Sequence, residues 1–202
     1  MTDINDVTLQ GKIVHKFVTP KIAILTINTG NATSEVNYPK VLCFNDLRDI
    51  AETKFNEGDF VLVHGNIQSS RRRPEIKNQS TIAIFGESLE PAQSSIEQET
   101  GIKAKDARIP FINKFVVAGE VKGVDSPTSD MVRLRIATNK NGHLSFVRLV
   151  HFTHNPADII NEIKAGDRVC VVGCTQTNKK LVDDETRYFE DYVALEIAKD
   201  RN

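Results

Sequence analysis

Apolar and polar residues alternate along most of this chain, in short runs broken by turn residues, which is the pattern of half-buried strands. In the first half the runs predict strands over 7–14, 21–29, 37–44, 60–69 and 80–85. Between the third and fourth strands, Leu47, Ile50, Ala51 and Phe55 fall at the spacing of one helix face, predicting a short helix over 46–55. Gly11 sits inside the first strand, where a glycine marks a bulge or sharp bend. The second half repeats the order, with strands over 114–122, 131–138, 144–152, 168–177 and 188–197. Its helix, 156–164, opens on Pro156, at a position where no N–H is needed.

The repetition extends to individual residues. Gly11 and Gly119 lie 108 positions apart, and so do Phe44 and Phe152, Gly58-Asp59 and Gly166-Asp167, and Gln68 and Gln176. Val61, Val63 and Gly65 match Val169, Val171 and Gly173 at the same offset. These identities fall on turns and on alternating strand positions, so they describe a duplicated structural unit. Residues 90–112 between the copies are polar, with little periodicity, and read as a linker, part of which has the composition of a short helix. The expected organisation is therefore a domain over 1–89, a linker over 90–112 and a domain over 113–202. Five strands with a helix between the third and fourth is the order of the OB-fold, a small barrel whose face and loops bind oligonucleotides and oligosaccharides. The expected fold class is all-β, as two tandem OB-fold five-stranded barrels, each with one short helix between strands 3 and 4.

Side chains of a strand alternate between its two faces. On the third strand of the first copy, Tyr38, Lys40, Leu42 and Phe44 share one face, while Val41 and Cys43 turn the other way to fill the barrel. In the second copy Phe146, Arg148, Val150 and Phe152 share a face, opposite Val147, Leu149 and His151. Both copies thus carry aromatic, basic, aliphatic and aromatic side chains on one side of one strand. Unpaired bases offer flat faces that stack on aromatic rings, worth about 1–3 kcal/mol per base. An interleaved cation can neutralise a phosphate or stack as well. The same stripe would equally serve as interface core if a partner domain covered it. Basic residues also follow each fourth strand: Arg71, Arg72, Arg73 and Lys77 in the first copy, and Lys179, Lys180 and Arg187 in the second. Both sets fall in the loop between strands four and five, a ligand-contact loop of OB barrels.

Charge and composition limit the alternatives. The net charge is −1, so phosphate binding requires basic residues segregated onto one face. Acidic residues do gather elsewhere, at Glu52 and Glu57 and along Glu87, Glu90, Glu97 and Glu99. No apolar run reaches the length of a membrane helix, and the polar, acidic start is unlike a secretory signal, which favours the cytoplasm. Cys43, Cys170 and Cys174 make an odd count flanked by apolar residues and read as buried thiols in a reducing compartment.

The stretches Asn37–Phe44 and Phe60–Ile67, with 146–152 and 169–173 in the second copy, resemble the bacterial single-stranded DNA-binding protein family. That resemblance implies stacking aromatics at Tyr38, Phe44, Phe146 and Phe152 and basic contacts at Lys40 and Arg148. It also implies non-catalytic binding and protection of single-stranded DNA in replication, recombination or repair, close to the nucleoid. Family members with two OB domains per chain exist, which implies a homodimer presenting four domains. The chain departs from the family in three ways. It has no tryptophan, it carries Arg72 or Lys180 where an aromatic is common, and it ends at Asp200-Arg201-Asn202 without the acidic tail that recruits partners.

Three rival functions are weaker. An enzyme would need a nucleophile–base arrangement, a phosphate loop or zinc spacing, and none is present. No cofactor or metal is expected, and Asp183-Asp184-Glu185 reads as a solvated hairpin tip. A cold-shock-like RNA binder would carry a clustered aromatic–Gly–aromatic motif, absent here. An OB-fold protein-interaction module of a replisome or primosome, with little DNA affinity, is the remaining alternative.

Overall fold

The computed structural model describes residues 2–30, 37–70, 81–92, 111–182 and 185–200. The first half contains β1 (Ile4–Val18), β2 (Ala23–Asn28), β3 (Lys40–Cys43), α1 (Asn45–Lys54), β4 (Phe60–Ser70) and β5 (Thr81–Pro91). The second contains β6 (Ile112–Thr128), β7 (Met131–Lys140), β8 (His143–Phe152), α2 (Pro156–Glu162), β9 (Arg168–Val182) and β10 (Glu185–Lys199). The fold is all-β. Strand pairing runs β1–β2–β3–β5–β4 and back to β1, closing a five-stranded barrel. The other strands pair as β6–β7–β8–β10–β9 and back to β6. In each set a parallel pairing, β3 with β5 and β8 with β10, accompanies antiparallel neighbours. This order agrees with an OB-fold.

Several strands outrun their sequence patterns, for a common reason. β1 continues past the expected end at Val14 because its register against β2 shifts between Ile13 and His15. The irregularity leaves Val14 and His15 both exposed and interrupts the alternation. β6 shifts in the same way between Val121 and Gly123. β3 is shorter than expected, since Pro39 has no N–H to place in a ladder. Its carbonyl still accepts from the Ile27 amide at 3.0 Å, as the Asn37 carbonyl does from Thr29. β5 runs to Pro91 and β6 starts at Ile112, so both ends of the expected linker are strand, and 93–110 lies outside the described residues.

Gly11 acts through close approach. A Cβ there would lie 2.0 Å from the Asn28 carbonyl oxygen, and one on Gly119 would lie 2.1 Å from that of Ala137. Only glycine lets β1 cross the end of β2, and β6 the end of β7, tightly enough for one strand to serve both sides of a barrel.

The halves join along β1 and β6, which pair antiparallel from Ile4↔Ala118 to Gln10↔Ile112. Val7 faces Phe115, its own equivalent 108 residues on, so an approximate two-fold axis passes through that pair. Asn5 follows the symmetry: its side chain accepts from the Ile67 amide at 2.8 Å and donates to the Ile67 carbonyl at 2.7 Å. Asn113 does the same to Thr175, at 2.9 and 2.8 Å. The seam also carries a departure from the symmetry. Asp3 forms an ion pair with Arg168, whereas the equivalent residues, Phe111 and Phe60, form a ring contact at 6.0 Å.

One cysteine meets the expectation of a buried thiol and two do not. Cys43 is buried, and burial pushes its thiol up to about 12. Cys170 and Cys174 are only half-buried, because Val169, Val171 and Gly173 take the inward positions of β9 and leave the intervening residues on the outer side.

Candidate nucleic-acid interface

The alternation of β3 and β8 is carried into space. Val41 and Cys43 are buried, Leu42 is half-buried, and Lys40 and Phe44 are exposed. On β8, Val147 and Leu149 are buried, Val150 is half-buried, and Arg148 and Phe152 are exposed. Phe44 and Phe152 keep 37% and 54% of their surface accessible. Phe44 stacks on Phe85 of β5, with ring centroids 5.2 Å apart and planes 21° from parallel.

Tyr38 and Phe146 sit differently from the other rings. Both are half-buried where the halves meet. The Tyr38 amide donates to the Thr177 hydroxyl at 2.8 Å, and the Phe146 amide donates to the Ser69 hydroxyl at 2.9 Å. Asn37 Oδ1 accepts from the Thr177 amide, and Glu190 Oε2 accepts from the Lys40 amide at 3.1 Å. The β9–β10 hairpin therefore lies over β3 of the first half, and the β4–β5 hairpin over β8 of the second.

Among the basic loop residues, Lys179 is exposed on β9, opposite Tyr188 of β10. Lys180 and Arg187 are paired in the same hairpin register, and their side chains lie outside the described residues. Arg71, Arg72, Arg73 and Lys77 also lie outside the described residues.

Two arginines on the neighbouring strand were not singled out from the sequence. Arg133 and Arg135 are exposed on β7, and Arg135 stands directly opposite Arg148 in the β7–β8 register. The signal was their two-residue spacing, which puts both on one face of a strand, but nothing in the sequence says which strand lies beside β8. Arg133, Arg135 and Arg148 line a groove of about 760 Å³, with Val150, Phe189 and, from the other half, Ile82. The groove also holds acids, each engaged. Asp125 pairs with Arg133, Asp191 accepts from Asn178 at 2.6 Å, and Glu190 holds the Lys40 amide. Burial pushes the Glu190 carboxyl up to about 6 against the pull of Lys40. Among the described residues no group of His, Cys, Asp or Glu is arranged to hold a metal ion.

The sequence matches no family model and no curated protein. The solved structures give a clear match in fold. The wild-type single-stranded DNA binding protein from Thermus aquaticus covers 100% of this chain and 95% of its own, at 17% identity and a TM-score of 0.67. A deletion mutant of that protein covers 100% and 96%, with the same identity and score. The Plasmodium falciparum SSB, in complex with ssDNA, matches 44% of this chain at 20% identity and a TM-score of 0.34. Over its whole length, this chain has the fold of the Thermus aquaticus single-stranded DNA binding protein.

Proposed function

We propose that this protein binds and protects single-stranded DNA without catalysing a reaction on it, as a divergent relative of the bacterial single-stranded DNA-binding proteins. In this reading residues 1–89 and 113–202 are two OB domains joined by 90–112. The strand contacts Tyr38, Lys40 and Phe44 on the first domain and Phe146, Arg148 and Phe152 on the second. Arg71, Arg72, Arg73, Lys77, Lys179, Lys180 and Arg187 meet phosphates from the hairpins. Two chains pair as a homodimer with four such domains, serving replication, recombination or repair at the nucleoid.

The observation that carries this reading is the outward placement of Lys40 with Phe44, and of Arg148 with Phe152, at equivalent positions of both halves. Exposed rings beside cations suit a ligand with unpaired bases and a charged backbone. The fold shared with proteins named for binding single-stranded DNA supports it.

The test uses the chain's three tyrosines as reporters, in the absence of tryptophan. Titration with oligo-dT should quench their emission, and added salt should reverse the quenching. Tyr38→Ala with Phe146→Ala should lower affinity by about 1–3 kcal/mol per lost stack. Replacing Arg71, Arg72 and Arg73 with alanine should flatten the salt dependence. Absence of quenching at low salt overturns the function, and unchanged affinity in the aromatic variant overturns the stacking assignment. Competition by oligo-U separates DNA from RNA preference, and a mass measurement in solution tests the dimer.

A further inference from the structure

One side of the β9–β10 hairpin can be followed outward, pair by pair. Tyr192 and Thr175 face each other and are buried in the second half. Two residues further, Glu190 faces Thr177, and their side chains accept from the Lys40 and Tyr38 amides of the first half. Two further still, Tyr188 faces Lys179, and both are exposed. Alternation puts all three pairs on the same side of the hairpin. That side therefore passes from core, to contact with the first half, to an open ring beside a cation. Tyr188 keeps 63% of its surface accessible, which makes it the most exposed ring among the described residues.

The other hairpin crosses in the same way but carries different residues. Ser69 holds the Phe146 amide as Thr177 holds that of Tyr38. Ser70 faces Thr81 as Asn178 faces Phe189, so the offset of 108 holds through both hairpins. It sets Ser80 of the first copy at the position of Tyr188, and Arg71 at that of Lys179. The first copy has a cation alone at these two positions, and the second a cation with a ring. Side chains opposed across a strand pair have Cβ atoms about 4.5–5.5 Å apart. A ring and an ammonium so close match one nucleotide, with its base against the ring and its phosphate against the ammonium. Resting on the DNA-binding function proposed above, we infer that Tyr188 stacks a base while Lys179 takes a phosphate beside it. The side of the hairpin they occupy leads directly from β3 of the first half. Tyr188 is then the tyrosine that reports binding, since Tyr192 is buried and Tyr38 half-buried.

The test is binding of fluorescein-labelled oligo-dT by the full chain, read by anisotropy over a series of salt concentrations. Quenching of tyrosine emission by unlabelled oligo-dT is measured beside it. Tyr188 and Lys179 are exposed, so far-UV circular dichroism should report folded variants. Tyr188→Ala should bind at least about fivefold more weakly at every salt concentration, with the wild-type slope of log affinity against log salt. Tyr188→Phe keeps the ring, so it should bind within about twofold of wild type yet lose most of the quenching. Lys179→Gln should lose about 0.7 from the salt slope, the share of one phosphate contact on a single strand. If the wild-type protein does not bind oligo-dT, the function and this inference both fall. If it binds but Tyr188→Ala binds normally, the function stands and the stack is overturned. Wild-type quenching in Tyr188→Phe, or a loss of affinity as large as that of Tyr188→Ala, overturns the stack as well. An unchanged slope in Lys179→Gln overturns the phosphate contact.

Discussion

Tyr38 of the first half is tied to Thr177 of the second by a 2.8 Å hydrogen bond from its amide to the threonine hydroxyl. The equivalent bond, Phe146 to Ser69, runs the other way across the approximate two-fold axis. Each hairpin thereby fixes the stretch of the opposite half that carries the half-buried aromatic. Thr177→Val keeps the side chain's shape and removes the acceptor, so it should cost about 1 kcal/mol. A thermal melt would register this as a fall of roughly 2–4 °C, and Thr177→Ser should restore most of it.

Gly119→Ala should be far more damaging than its size suggests. The added carbon would lie 2.1 Å from a backbone oxygen, so β7 must move, at a cost of roughly 3 kcal/mol or more. Gly123→Ala on the same strand meets nothing closer than 3.8 Å and should stay within about 0.5 kcal/mol of wild type. Urea unfolding of the two variants measures the contrast.

Glu190 makes stability depend on pH. Burial raises its folded pKa from 4.5 to about 6, so the folded state binds the proton more tightly than the unfolded chain. Its effect is absent below about 4.5 and destabilises progressively as the pH rises to about 6, by at most about 2 kcal/mol. Asp3, Glu57 and Asp167 have lowered pKa values and act in the opposite sense. The comparison is therefore wild type minus Glu190→Gln: the difference in unfolding free energy should change between pH 4.5 and 6 and be flat above.

The Asp3–Arg168 pair should behave as a charge-specific contact. Burial works to raise the Asp3 carboxyl, but the Arg168 and Asn139 hydrogen bonds outweigh it and hold the group below its ordinary 3.8. Asp3→Arg should destabilise the seam by about 1 kcal/mol, and Asp3→Arg with Arg168→Asp should recover most of the loss. The pair's contribution is present above pH 3.8 and fades as the pH falls below it. Denaturant unfolding of the three proteins measures the coupling.

The strand order was legible because glycines and alternating valines recur 108 residues apart, and because alternation from Lys40 to Phe44 decides which side chains leave the barrel. The far ends of β1 and β6 were not, since the shifts after Ile13 and Val121 break the two-residue period that marks a strand. The half-buried setting of Tyr38 and Phe146 was equally hidden. It depends on a hairpin from the opposite half, and no local pattern encodes that reach. Arg133 and Arg135 escaped notice because their meaning comes from Arg148 across the ladder, a tertiary neighbour.

Two identical chains related by the axis through Val7 and Phe115 would have to make every off-axis contact twice, with the same two amino acids each time. Here one polypeptide supplies both sides, so each position serves only once. Phe60 can meet a ring while Arg168 meets a carboxylate. Duplication in tandem thus lets mutation specialise either copy without a matching change being imposed on its twin.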